Sequence, residues 1–227
     1  MGKKTKKRVK LDLTSISEHT WIPAVNIENI VSTFSIGLKK LDLKKLASQY
    51  LFIDYNPHKF AAATIRLADP RTTALLFSSG NVVCTGGKNT NISRLAARKY
   101  VRLLQKKGIR VSMKNFKIQN IVATSFINAP LKLREFANDF GAYTSYEPEL
   151  FPGLVFRTIE PRVVFLVFRS GKVVITGAKK KETILTVFRC FYNSILTKYI
   201  DNDSSTRCSA EYRMKYKRSL LDPANFV

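Results

Sequence analysis

The chain repeats itself at an offset of 91 residues, and that feature limits what it can fold into more than any other. Asn29-Ile30-Val31 falls on Asn120-Ile121-Val122, and Tyr55, Pro57 and Phe60 fall on Tyr146, Pro148 and Phe151. Pro70-Arg71 falls on Pro161-Arg162, and Phe77, Ser79-Gly80 and Val82-Val83 fall on Phe168, Ser170-Gly171 and Val173-Val174. Thr85-Gly86 and Lys88 fall on Thr176-Gly177 and Lys179. Over 55–88, 15 of 34 positions equal their partners at 146–179, where ordinary residue frequencies give about two. So long a period, present only twice, means a duplicated domain half, because a solenoid needs three or more units to bury its faces. Repeat one spans about 23–112 and repeat two about 113–200. Residues 1–22 are expected to be a disordered basic arm, and 201–227 a tail with a short helix around 209–221.

Both repeats give the same local pattern. In the first, 25–34 alternates as a strand, 41–51 is an amphipathic helix, and 55–60 is a Pro-containing loop. A strand over 61–67 follows, then a hairpin of 72–78 and 81–86 turned by Ser78-Ser79-Gly80-Asn81. Thr90 or Asn91 caps a last helix, 92–107, which stops at Gly108. The second repeat places helices near 131–140 and 181–198. The outcome is a helix-decorated antiparallel sheet, doubled.

Side chains on a strand alternate between faces, yet here both faces are largely apolar. Leu75 and Phe77 oppose Ala74 and Leu76; Val83 and Thr85 oppose Val82 and Cys84. An antiparallel sheet with one solvated face should alternate apolar with polar. Two helices per repeat cover one face only, and an uncovered apolar patch of that size marks an interaction site. Charge indicates the partner. The net charge is +23; 23–112 holds fifteen basic and four acidic side chains, and 113–200 thirteen and six. A polyanion is implied, nucleic acid before an acidic membrane, and no stretch approaches the roughly 18 apolar residues of a membrane span. The minor groove of DNA meets both demands. It offers sugars and base edges inside and phosphates on its rims, with mostly acceptors at A·T pairs. Phenylalanines can wedge between its base steps.

At these residues the sequence resembles the TATA-box-binding protein family. The matching strings are Ile27-Glu28-Asn29-Ile30-Val31-Ser32-Thr33, Tyr55-Asn56-Pro57-His58-Lys59-Phe60-Ala61-Ala62 and the run from Pro70 to Gly80. Ser93 to Tyr100, Ser145 to Leu154, Ser170-Gly171-Lys172-Val173-Val174 and Thr176-Gly177-Ala178-Lys179 complete them. The resemblance implies an α+β saddle: two tandem pseudo-symmetric repeats forming a curved ten-stranded antiparallel sheet with four helices on its convex face. It implies intercalation by Phe60 with Phe77 and by Phe151 with Phe168. Base contacts fall to Asn29, Asn120, Thr85, Thr176, Val31, Val83, Val122, Val174, Leu75 and Leu166. Phosphate contacts fall to Lys59, Arg66, Arg71, Lys88, Arg157, Arg162 and Lys179.

The same resemblance implies a general transcription initiation factor that works in the nucleus. It would bind and bend double-stranded TATA-containing DNA from the minor groove and nucleate preinitiation complexes. General transcription factor IIB would dock at Glu147, Glu149 and Leu150, and factor IIA near Asn56. TATA-binding-protein-associated factors and the RNA polymerase machinery complete the expected partners. One residue is extra near Lys39-Lys40, and His58-Lys59 stands where Lys-Arg is commoner in the family.

Other features admit plainer meanings. Each phenylalanine taken singly fits a core better than a wedge; recurrence of all four at matched positions beside Asn and Thr favours the wedge. Arg94, Arg98 and Arg102 share one helix side, as a solvated face or a partner surface. The cluster Lys3-Lys4-Thr5-Lys6-Lys7-Arg8 is of the nuclear-localisation kind or a solvated arm. Cys84, Cys190 and Cys208 lack metal-ligand spacing and suit buried free thiols. No Gly-rich phosphate loop or nucleophile motif occurs, so no enzyme, cofactor or metal is expected. The rival is a protein–protein scaffold that keeps the sheet without binding DNA.

Overall fold

A computed structural model describes residues 9–13 and 20–201; the expected helix at 209–221, Cys208 and most of the tail lie outside the described residues. The first repeat runs β1 (Val25–Ser35), α1 (Leu43–Gln49), β2 (Ile53–Asp54), β3 (Ala62–Leu67), β4 (Thr72–Phe77), β5 (Asn81–Gly87) and α2 (Thr90–Lys106). The second runs β6 (Lys114–Phe126), α3 (Leu133–Asp139), β7 (Thr144–Glu147), β8 (Phe151–Arg157), β9 (Val164–Phe168), β10 (Lys172–Ala178) and α4 (Lys181–Ser194), with a 3-10 turn at Leu196–Tyr199. The strands are hydrogen-bonded in the order β2-β3-β4-β5-β1-β6-β10-β9-β8-β7. The expected α+β class, with ten strands, four helices and two tandem repeats, is what the chain adopts.

The chain divides into two compact units. One is Ile27–Ala123 with Gly177–Lys181, and the other joins Thr124–Thr176 to the described residues from Glu182 on and to those before Ile27. In the first unit β4 lies between β3 and β5 in antiparallel register, Thr64 opposite Leu75 and Leu75 opposite Val83. Its core joins the buried sheet face (Phe34, Ala63, Ile65, Ala74, Leu76, Val82 and Cys84) to Leu43 of α1 and to Ala96, Ala97, Tyr100 and Leu104 of α2. Tyr100 and Thr72 share their hydroxyl hydrogens across that interface at 2.9 Å. The Ser32 and Ser93 hydroxyls do the same between β1 and α2 at 2.8 Å.

In the second unit β8 pairs antiparallel with β7 and β9. Its core is aromatic: Phe165 stacks on Phe191 of α4 with centroids 4.0 Å apart. Phe136 of α3 stacks on Tyr199 at 4.8 Å. The Tyr199 hydroxyl donates to Asp139 Oδ2 at 2.6 Å, and burial together with that carboxylate pushes its pKa up to about 12.

Helix ends depart from the sequence expectations in instructive ways. The cap of α2 is Asn89, not Thr90 or Asn91: its side-chain oxygen accepts the Ile92 N–H at 2.8 Å, satisfying a donor that the first helical turn leaves unpaired. The first helix is shorter than 41–51, because Asp42 caps it by accepting from Lys45 N–H at 3.0 Å. The Leu41 N–H is meanwhile spent on Ser78 O. The expected helix over 181–198 breaks at Ile195, which leaves helical geometry at φ −123°, ψ −62°. The extra residue near Lys39-Lys40 is visible in backbone pairing. Ile36 and Ile127 donate to Gly80 and Gly171 at the 91-residue offset, whereas Leu41 and Leu131 donate to Ser78 and Arg169 at an offset of 90 on the donor side.

The hairpin turns show why glycine recurs there. Gly80 sits at φ +78°, and a Cβ on it would lie 1.9 Å from Leu38 O; Gly171 repeats this at φ +81°, 2.3 Å from Ala129 O. Gly108, which ends α2, also has positive φ but nothing within 4 Å. Gly108→Ala is therefore expected to cost only the left-handed backbone penalty, about 1 kcal/mol. Gly80→Ala must also displace backbone and should cost about 3 kcal/mol or more. Equal shifts of the two variants in chemical denaturation would contradict this account of the hairpin.

Candidate nucleic-acid interface

Strand alternation sorts the first unit's sheet into two unlike faces. Ile30, Ser32, Phe34, Ala74, Leu76, Val82 and Cys84 are buried beneath the helices, while Asn29, Val31, Leu75, Phe77, Val83 and Thr85 are only half-buried. Among the described residues of this unit, no element packs over the second set. A hollow on that face is lined by Thr33, Phe77, Asn81, Val83, Asn115 and Lys117. Asn120 and Val122 of β6, which fall in the same unit, are half-buried as well.

Asn29 is held in one orientation. Its Oδ1 accepts the Gly86 N–H at 2.7 Å, so the other end of the amide must be the donor. Its Nδ2 donates to Thr85 Oγ1 at 2.9 Å, which leaves one amide hydrogen for a ligand. Asn120 repeats the arrangement, its Oδ1 accepting the Gly177 N–H at 2.8 Å. Gly86 and Gly177 stand at the 91-residue offset and both have positive φ. In both asparagines the amide oxygen is engaged by a glycine N–H, which fixes the amide nitrogen as the donor end.

The aromatic pair of the first unit is Phe60 and Phe77, centroids 6.3 Å apart in an edge arrangement. Phe60 is 51% exposed and ends the turn begun by Asn56, whose Oδ1 accepts from His58 N–H at 3.1 Å. Asn56 therefore organises this turn as well as lying on its surface. Lys59, Arg66, Arg71, Lys88 and Lys179 are exposed. Arg66 approaches Asp54 only at 3.8 Å with both side chains open to solvent. Lys179 donates to Gln119 Oε1 at 3.2 Å.

The second unit carries the matching residues of β8, β9 and β10, two of them buried. Leu166 and Thr176 are half-buried, Arg157 half-buried and Arg162 exposed. Phe151 is 39% exposed, but Phe168 is only 3% exposed and Val174 is buried too. A ring free to wedge between bases should be partly exposed before a ligand binds, and Phe168 is not. Its ring lies 5.8 Å from that of Phe151, and Gly153, which pairs with Phe168 in the sheet, makes room for both. A Cβ there would sit 2.6 Å from Phe151 Cε1 and 3.0 Å from Phe168 Cε1. The first unit has Ala62 at this place, opposite Phe77, and its rings stand further apart.

The expected protein-docking residues lie on the surface. Glu147, Glu149 and Leu150 are exposed, Leu150 at 82%. Arg98 and Arg102 are exposed on α2, while Arg94 places its guanidinium 4.8 Å from the Phe116 ring centroid. Sequence reasoning passed over Thr33, Thr64 and Thr73, half-buried on the same face as Leu75, and Val155, opposite Leu166 in β8. Counting by twos along each strand from the named residues would have found them.

Burial raises the Cys84 thiol to about 11 against a smaller opposing hydrogen bond from Ser32, so it is not a thiolate at neutral pH. Among the described residues no three His, Cys, Asp or Glu side chains are grouped to hold a metal ion, and no helix is long and apolar enough to cross a membrane.

Against known families, 24–107 and 115–199 each match the model described as transcription factor TFIID, or TATA-binding protein. TATA-box-binding protein 1 of Triticum aestivum is 50% identical over 173 residues, covering 76% of this chain and 73% of its own length. TATA-box-binding protein 2 of Arabidopsis thaliana is 50% identical over 166 residues, 73% and 82% respectively. The alignment to the Artemia franciscana TATA-box-binding protein, 49% identical, spans 78% of this chain but only 64% of that one. Among solved structures, the TBP of Methanococcus jannaschii superposes with a TM-score of 0.63 at 38% identity, over 74% of this chain and 93% of its own.

The unequal burial of the rings has a measurable consequence. Phe168→Ala should lower unfolding free energy by about 3 kcal/mol, through reduced burial and a cavity. Phe60→Ala, already half in solvent, should change it by less than about 1 kcal/mol. Denaturant titration of the two variants tests the ordering, and a costlier Phe60→Ala would reverse the assignment of wedge and partly seated ring.

Proposed function

The chain belongs to the TATA-binding-protein family of DNA-binding transcription factors, which are not enzymes, and from that premise we propose how its residues act. Each open face takes part of one TATA-type site in the minor groove. The observation that carries this reading is the recurrence, on a half-buried face in each repeat, of an aromatic pair and a Thr, together with two asparagines pinned as donors. A·T pairs offer the minor groove only acceptors. Donors fixed by Gly86 and Gly177 meet them without reorganising, and the exocyclic amine of a G·C pair would collide with them. Val31, Val83, Val122, Val174, Leu75 and Leu166 exclude water over sugars and bases.

Phe60 with Phe77, and Phe151 with Phe168, enter base steps and kink the duplex. Unstacking a step costs a few kcal/mol, offset by the protein surface that the bent DNA then covers. Lys59, Arg66, Arg71, Lys88, Arg157, Arg162 and Lys179 take the phosphates. Glu147, Glu149 and Leu150 receive general transcription factor IIB, since exposed carboxylates near a DNA-binding face suit a basic protein. The turn at Asn56 receives factor IIA, and Arg98 and Arg102 face further partners among the associated factors and the polymerase machinery. The assembly nucleates transcription initiation in the nucleus.

Three measurements test this reading. With seven phosphate contacts, the logarithm of affinity for TATA DNA should fall with the logarithm of salt at a slope of about −6; a slope near zero excludes the groove. Glu147→Arg should leave TATA binding within a few fold while abolishing assembly with factor IIB, and equal loss of both activities would make the loop structural. Phe60→Ala with Phe77→Ala should stay folded and lose DNA bending, read as fluorescence transfer between the duplex ends. Full bending by that double variant would remove the wedge role from the first unit.

A further inference from the structure

The first unit has a second hollow, and Lys40, Leu41, Lys44, Tyr55 and Ser78 are among the residues that line it. It shares no residue with the hollow on the open face. Leu43, which also lines it, belongs to the core between sheet and helices, and Leu41 and Tyr55 pack against that core. The hollow therefore opens on the helix side of the sheet. Backbone fixes its frame: Leu41 N–H donates to Ser78 O at 2.9 Å. Its floor is apolar, from the half-buried Leu41 and Tyr55. Its rim is cationic, with Lys40 and Lys44 in the hollow and Lys39 and Lys45 beside them in the chain. All four lysines are exposed, and among the described residues none of them has an ion-pair partner. The carboxylate that lines the hollow, Asp42, is engaged in capping α1, where it accepts the Lys45 N–H at 3.0 Å.

The fold does not require this arrangement. The second repeat keeps the backbone link, with Leu131 N–H donating to Arg169 O at 2.9 Å. Yet Pro130 stands there at the place of Lys40, and Arg169 at that of Ser78. Its Lys132 lies 4.0 Å from Glu135. The paired lysines with a small side chain across from them belong to the first repeat alone, in the stretch that holds the extra residue.

We propose that this hollow binds an acidic segment of a partner protein, with carboxylates on Lys40 and Lys44 and one apolar side chain on Leu41 and Tyr55. Unpaired cations around an apolar floor complement a ligand that is both anionic and apolar. Ammonium groups act as point charges and take carboxylates without a forked geometry. DNA held on the open face lies on the other side of the sheet. A membrane surface is flat and would leave the floor of the hollow uncovered. The site stands apart from the DNA-binding reading, so the two can fail separately.

The test titrates the full chain, by fluorescence anisotropy, with a short labelled peptide in which Asp and Glu surround one Phe. A net charge of +23 attracts any acidic peptide, so the variants must separate the hollow from bulk charge. Lys40→Glu with Lys44→Glu should weaken peptide binding roughly tenfold or more. Arg98→Glu with Arg102→Glu makes the same change in charge on α2 and should weaken it by no more than about twofold, because screening blunts distant charges. Ser78→Phe fills the hollow at unchanged charge and should match the lysine variant. Affinity for a TATA duplex, measured alongside, should stay within a few fold in both hollow variants. Equal losses from the lysine and arginine pairs overturn the site, as does full peptide binding by a folded Ser78→Phe. If Ser78→Phe unfolds, the contrast between the two charge variants decides. Parallel loss of duplex and peptide by the lysine variant would assign these cations to DNA and overturn the site too. Failure of the parent chain to bind the peptide overturns it while leaving the DNA reading intact.

Discussion

The strands are apolar on both sides while the helices of each repeat suffice for one side, and the rest of the fold depends on that imbalance. Burying Phe34, Ile65, Leu76 and Val82 under α1 and α2 supplies the hydrophobic stabilisation. It also leaves Val31, Leu75 and Val83 half in water. That residual cost is held in check by placing Thr and Asn among the apolar side chains, so the open face stays soluble without becoming polar enough to lose a ligand with an apolar floor. The first unit's cations Lys59, Arg66, Arg71 and Lys88 stay exposed, so they do not have to be desolvated for folding. A stable helix layer and an unsatisfied opposite face are thus two results of one patterning choice.

Duplication supplied two such sheets, and divergence then treated their sides differently. Beneath the helices, Ala74, Ala97 and Tyr100 of the first repeat stand where the second has Phe165, Phe188 and Phe191. One core is mostly aliphatic, with Phe34 and Tyr100 among the small side chains; the other is a stack of rings. On the open side the change is smaller in atoms and larger in effect. One methyl group separates Ala62 from Gly153, and its absence lets Phe151 close over Phe168. Polar groups that set backbone geometry barely moved: the glycines at 80 and 171 still meet a carbonyl that admits no side chain.

Much of this was legible in the sequence. The repeat, the strand pattern and the hairpin glycines are local features, and period-two counting separated the two faces of the first unit, while in the second it missed the burial of Phe168 and Val174. The two short strands β2 and β7 were not legible from local pattern, since two to four residues carry no period. The helix cap was displaced by one or two positions because Asn89, Thr90 and Asn91 are chemically alike and only backbone geometry chooses among them. The burial of Phe168 depends on a glycine fifteen residues away, and no window of sequence reports that contact. Nor does it report that Val9 N–H donates to Arg157 O across the chain. The aromatic and asparagine sites were legible only because they occur twice; either copy alone would have read as core or turn.

The pinned amides carry one more implication. A donor held toward a base edge meets an acceptor at the same depth in the minor groove whether the pair is A·T or T·A. On the proposed reading, Asn29 and Asn120 therefore cannot tell which strand runs which way, and a run of A·T pairs looks much the same from both ends. Directionality has to come from elsewhere in the molecule. On the same reading, the one-methyl difference at Ala62 and Gly153 makes the two halves unequal partners for unequal base steps.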